Sequence, residues 1–99
     1  MWRPVARLDD LWIGEMRGVE VEGRPLLLVN IDGQVRVFED RCAHKGVRLS
    51  EGKLEGCVLT CGAHAWQYDV STGAGINPAG VALRPCPVEV REGEIWVDD

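Results

Sequence analysis

The chain has 99 residues, 27% charged and 45% hydrophobic, which fits one small globular domain spanning residues 1–99. Eleven basic against sixteen acidic residues give a net charge of −5, which speaks against a nucleic-acid partner, because phosphates need a basic face. The longest strongly apolar run, Leu26-Leu27-Leu28-Val29, falls far short of the roughly 20 residues of a spanning helix. Residues Met1–Arg7 lack the apolar stretch of a signal peptide, so the reading is a cytoplasmic protein without a membrane partner.

In chain order, Val5–Leu8 reads as an edge strand and Asp9–Glu15 as a single helical turn. Val19–Glu22 and Leu26–Ile31 flank a Gly23-Arg24-Pro25 turn. Asp32-Gly33 is the strongest hairpin signal, since a type I′ turn needs φ > 0 at both central residues, and it joins Leu26–Ile31 to Val35–Glu39. Val58–Thr60 and Gln67–Val70 are short strands on either side of a Cys/His segment. Val88–Arg91 and Ile95–Val97 flank a hairpin at Glu92-Gly93-Glu94. No window sustains a helical apolar period over three turns. Short strands with frequent turns predict an all-β chain, a small antiparallel sandwich or barrel.

Two segments, 42–48 and 61–66, do not read as strands, and each follows a strand-like run. They read as two loops at one end of the β scaffold. The chain has only two histidines, and each closely follows a cysteine, as Cys42-Ala43-His44 and Cys61-Gly62-Ala63-His64. Sixteen residues, 45–60, separate the pairs. Thiolate is a soft, charge-donating ligand suited to iron–sulfur clusters, Cu(I) and zinc, and imidazole suits zinc or iron. Two of each give either one tetrahedral zinc site or a two-iron cluster with both cysteines on one iron and both histidines on the other. The spacings are unusual for zinc, whose knuckles favour C-x₂₋₄-C.

At these residues the sequence resembles the Rieske iron–sulfur proteins, whose signature is C-x-H, a gap of about sixteen, then C-x₂-H. The match is complete at Cys42, His44, Cys61 and His64. The resemblance extends through Leu49–Gly56, similar to the inter-loop hairpin of Rieske ferredoxins, and through Trp66, Tyr68, Asp69 and Thr72-Gly73. It implies one [2Fe–2S] cluster per chain held by those four ligands, in a Rieske-type sandwich whose cluster-binding subdomain spans about residues 40–70. Asp10–Met16, Gly75–Pro78 and Pro87–Val90 resemble a narrower group, the ferredoxins of toluene-type aromatic monooxygenases. That resemblance implies a soluble, monomeric one-electron carrier. It would run between an NADH-dependent flavin/iron–sulfur reductase and a diiron hydroxylase. Alternatives are the ferredoxin of a Rieske ring-hydroxylating dioxygenase, the small subunit of an enzyme such as a nitrite reductase, and a structural zinc module.

High-potential Rieske proteins of respiratory complexes carry an extra disulfide between the loops; Val47 and Ala63 stand at those places here. Trp66 replaces a serine that donates to a cluster sulfide in those proteins. Fewer hydrogen bonds to sulfur leave the reduced cluster less stabilised, which implies the low end of the roughly −150 to +300 mV Rieske range. Tyr68 acts in the opposite sense, standing where high-potential proteins place a tyrosine whose hydroxyl reaches a cysteine sulfur. A packed core tyrosine is the alternative. An exposed His44 and His64 would give the electron a short exit. Gly46 and Gly62 would let backbone N–H groups approach the sulfides.

Cys57 and Cys86 have no partner motif and read as small buried or half-buried residues. Trp66 is either packing or part of a docking face. Arg41, Lys45 and Arg48 either tune the potential, meet a partner's carboxylates, or are solvated. No nucleophile, acid–base pair or phosphate loop stands out, so the chain is read as carrying electrons rather than transforming a substrate.

Overall fold

In the computed structural model, which describes residues 1–42, 47–62 and 65–98, eleven strands and two 3₁₀ turns account for the regular structure. The strands are β1 (Trp2–Arg7), β2 (Met16–Val21), β3 (Arg24–Ile31), β4 (Gln34–Glu39), β5 (Lys53–Glu55), β6 (Val58–Thr60), β7 (Gln67–Asp69), β8 (Ala74–Asn77), β9 (Pro85–Cys86), β10 (Val88–Arg91) and β11 (Glu94–Asp98). They form three antiparallel sheets, in the orders β1-β11-β10, β2-β3-β4-β9 and β5-β6-β7-β8. The all-β expectation holds. Among the described residues, no helix is long and apolar enough to cross a membrane.

The middle of the second sheet is buried on both faces, most completely over residues 26–30 of β3. Successive side chains of a strand point to opposite sides. Leu26 and Leu28 of β3 therefore join Val35, Val37, Ile95 and Val97 in a core against the first sheet. Leu27 and Val29 join Phe38, Leu59, Tyr68 and Val70 in a second core against the third sheet. This is why residues 26–29 are continuously apolar rather than alternating: a strand covered on both faces has no solvent side to mark with polar residues.

Three hairpins close with two-residue loops whose residues all have φ > 0: Glu22-Gly23 (51° and 78°), Asp32-Gly33 (53° and 87°) and Glu92-Gly93 (49° and 78°). Their paired positive φ values are those of type I′ turns, whose twist matches that of the flanking strands. The first turn therefore lies one residue earlier than Gly23-Arg24-Pro25, and Arg24 and Pro25 begin β3.

Two further expectations shift. The predicted helical turn at Asp9–Glu15 is a 3₁₀ turn at Leu8–Asp10. Strand β1 starts at Trp2 rather than Val5 and includes Pro4, which an edge strand tolerates because that residue has no N–H to pair. A register shift between Pro4 and Ala6 accommodates it. Strands β8 and β9 have no strand signal in the sequence. They are short additions to β7 and β4, held by pairing rather than by a pattern of their own.

Leu27 and Leu28 are both fully buried but face different cores. Alanine at either position is expected to destabilise the protein by about 3 kcal/mol in urea unfolding. Only Leu27→Ala, which opens the core shared with the two loop cysteines, is expected to speed iron release to a chelator. Equal release from both variants would show that the two cores are not energetically separate.

Candidate metal centre

The two loops are closed in the same way at their bases. The Cys42 N–H donates to the Val47 carbonyl at 2.8 Å, and the Cys61 N–H donates to the Trp66 carbonyl at 2.7 Å. Each loop is thus closed at its base by a bond from the backbone of its own cysteine. Cys42 follows the end of β4, and Cys61 follows β6 directly. Both cysteines are buried, in the same apolar cluster as Leu49, Leu59 and Tyr68. His44 and His64 lie outside the described residues, as do Lys45, Gly46 and Ala63.

A close backbone approach brings the loops together. After the first loop the chain makes a 3₁₀ turn at Leu49–Glu51, then presses Gly52 against Thr60, the residue before Cys61. A Cβ on Gly52 would collide with the Thr60 carbonyl oxygen. The Glu51 carbonyl lies 3.7 Å from where a Cβ on Gly62 would stand. The exit of the first loop is therefore in contact with the entry of the second. Ala65 in the second loop has φ 55°, a left-handed conformation that costs a non-glycine residue about 1 kcal/mol or more and is found disproportionately at functional sites.

Tyr68, on β7, is fully buried, and its hydroxyl lies 3.3 Å from the Cys42 Sγ. With the sulfur as a thiolate, the hydroxyl is the donor. Both readings of this residue therefore hold: it is a packed core tyrosine and it bonds a cysteine sulfur. The following turn is fixed by Asp69, whose Oδ1 accepts from the Ser71 N–H at 2.9 Å and the Ser71 hydroxyl at 2.6 Å. Those bonds hold the Asp69 carboxyl below its ordinary range.

Two of the charged side chains beside the first loop, Arg48 and Arg41, meet carboxylates of their own chain. Arg48 Nη2 donates to Glu20 Oε1 at 2.6 Å, which holds the guanidinium above its ordinary pKa. Arg41 Nη1 lies 3.9 Å from Glu39 Oε1. Trp66 is half-buried and packs against the core cluster. Cys57 is half-buried; Cys86 is buried, with its Sγ 3.5 Å from the Asp98 carbonyl. Both fit the expected packing role.

The donor chemistry suits an iron–sulfur cluster. Two buried sulfurs would be costly as bare thiolates, but as ligands they neutralise ferric charge, and a hydroxyl is already directed at one of them. No sequence motif pointed to Asp40, and Ser50 and Gly52 lie in the Leu49–Gly56 segment that resembles the inter-loop hairpin, which gave neither of them a role of its own. Their contacts are non-local or purely backbone.

A family model for the Rieske [2Fe–2S] domain matches residues 1–87. The ferredoxin component of an alkene monooxygenase system from Xanthobacter autotrophicus (strain ATCC BAA-1158 / Py2) is 43% identical over 94 residues, covering 94% of this chain and 77% of that protein. The ferredoxin component of a naphthalene 1,2-dioxygenase system from Pseudomonas putida is 31% identical over 98 residues, covering 98% and 94%. Among solved structures, a complex of reduced oxygenase and oxidised ferredoxin in carbazole 1,9a-dioxygenase contains a chain that matches with a TM-score of 0.88 and 37% identity, over 97% of this chain and 91% of that one. The Sphingomonas yanoikuyae B1 ferredoxin matches with a TM-score of 0.89 and 26% identity, over 100% and 99%.

Removing the Tyr68 hydroxyl tests its electrostatic role. Tyr68→Phe is expected to lower the reduction potential by about 40 mV, the one-electron equivalent of a hydrogen bond worth about 1 kcal/mol more to the reduced state. Protein-film voltammetry reads this directly. An unmoved potential would leave Tyr68 a packing residue only.

Proposed function

The chain belongs to the Rieske [2Fe–2S] family and carries one such cluster, and from that premise we propose that Cys42 and Cys61 bind one iron and His44 and His64 the other. The observation that carries this reading is the pair of buried cysteines, each heading a loop closed by its own backbone N–H, in one shared apolar cluster. When bound, the cluster supplies one-electron chemistry. The chain's own residues do the rest. The closed loop bases fix the two sulfurs, Leu49, Leu59 and Tyr68 keep water from them, and the Tyr68 hydroxyl stabilises negative charge on Cys42. The protein is an electron-transfer component rather than a catalyst, as its relatives are. Family membership sets aside the zinc-module reading.

The finer reading is that this ferredoxin takes electrons from an NADH-dependent flavin/iron–sulfur reductase. It delivers them to the diiron hydroxylase of a toluene-type aromatic monooxygenase. The resemblance of Asp10–Met16, Gly75–Pro78 and Pro87–Val90 to that group supports it. So does the higher identity to a monooxygenase ferredoxin, 43% against 31% for the naphthalene dioxygenase ferredoxin. A second reading, the ferredoxin of a ring-hydroxylating dioxygenase, is favoured by the likeness to the carbazole dioxygenase ferredoxin complex. In either case the chain works as a cytoplasmic monomer and one domain, and its charge of −5 suits docking to a basic patch.

Reconstitution separates the two. With a reductase in excess, the protein is titrated into a toluene-type diiron hydroxylase and, separately, into naphthalene dioxygenase oxygenase. Saturable turnover with the diiron hydroxylase, at an apparent second-order rate at least tenfold above that with the dioxygenase, is expected. The reverse preference would move the protein to the dioxygenase systems.

A further inference from the structure

Asp40 is fully buried, at the end of β4 and two residues before Cys42. Its Oδ1 accepts from the Ser50 N–H at 2.8 Å and its Oδ2 from the Ser50 hydroxyl at 2.7 Å. Its own N–H donates to the Pro25 carbonyl at 3.0 Å. Ser50 lies on the far side of the first loop, in the 3₁₀ turn that leads to Gly52. The carboxylate therefore spans the loop from outside its Cys42–Val47 closure. Strand β2 is cut away to admit this pair. A Cβ on Gly18 would stand 2.6 Å from Ser50 Oγ and 3.0 Å from Asp40 Oδ2. Arg48 is within electrostatic reach, but its guanidinium is bonded to Glu20.

A buried carboxylate is an expensive way to tie a loop, because a neutral hydrogen-bonding side chain would avoid most of the desolvation cost. We propose that Asp40 is a positioning residue of the cluster site. Its bonds to Ser50 hold the loop that presents Cys42, and its fixed negative charge disfavours the added electron and keeps the reduction potential low. A charge buried in protein acts over several ångströms with little screening. The inference rests on the assignment of Cys42 as a ligand.

Three variants of the cluster-loaded protein divide the claim. Asp40→Asn keeps the shape and removes the charge. Ser50→Ala keeps the charge and removes one bond. Gly18→Ala acts from another strand, pushing the Ser50 hydroxyl away from Asp40. Two quantities are read: the midpoint potential by redox titration, and the rate of iron release to a chelator well below the melting temperature. Asp40→Asn is expected to shift the reduction equilibrium at least threefold toward the reduced form, about 28 mV at 59 mV per tenfold. Ser50→Ala and Gly18→Ala are expected to stay within that margin while releasing iron several-fold faster than wild type. An unmoved potential in Asp40→Asn overturns the charge claim. Wild-type release rates in both Ser50→Ala and Gly18→Ala overturn the loop claim, and these two variants decide it even if Asp40→Asn does not fold. A failed ligand assignment would appear in the wild-type spectrum, so it is distinct from failure here.

Discussion

Over residues 26–30, strand β3 has no solvent face. Leu26 and Leu28 pack toward the first sheet, Leu27 and Val29 toward the third. The second sheet thereby becomes a partition between two cores, and the chain can hang a metal-binding layer on one side of it without borrowing from the other. In a chain of 99 residues, where a single core is a modest source of stability, this division matters. The core nearer the first sheet holds the hairpins together. The other holds Cys42 and Cys61 among Leu49, Leu59 and Tyr68, so apolar packing also places the two cysteines proposed as ligands.

The loops are positioned by groups that carry no metal. Backbone closure at Cys42 and Cys61 sets each loop's base, and the meeting of Gly52 with Thr60 sets one loop against the other. Asp40 and Ser50 pin the first loop, and the Tyr68 hydroxyl reaches its sulfur. The sulfur-directed hydroxyl and the buried carboxylate have opposite electrostatic effects on an added electron, the first stabilising it and the second opposing it. The potential is therefore a balance of named side chains, and it is open to adjustment one residue at a time.

Much of this was legible in the sequence. Two cysteine–histidine pairs in a chain with only two histidines define the candidate ligands without any structure. Asp32-Gly33 announced its hairpin because a type I′ turn demands those residue types. Glu22-Gly23 was displaced by one residue because Pro25 resembled part of the turn, although an early strand position accepts it. Strands β8 and β9 were invisible because Ala74–Asn77 and Pro85–Cys86 have too little pattern to declare themselves, and pairing with β7 and β4 creates them. Asp40 was invisible for a related reason. An aspartate at a strand end reads as a surface residue, and only the fold brings Ser50 and the bare Gly18 backbone around it. Tyr68 was visible as a position with two readings, and the fold satisfies both.

The central claim is that two cysteines and two histidines share one two-iron cluster. It is tested most directly by iron and sulfide analysis of the purified protein, with its visible and EPR spectra before and after dithionite. The account predicts two irons and two sulfides per chain. It also predicts a rhombic signal on reduction, with an average g below that of a ferredoxin ligated by cysteine alone. A colourless protein with one zinc, or a two-iron cluster with the g values of all-cysteine ligation, would contradict it.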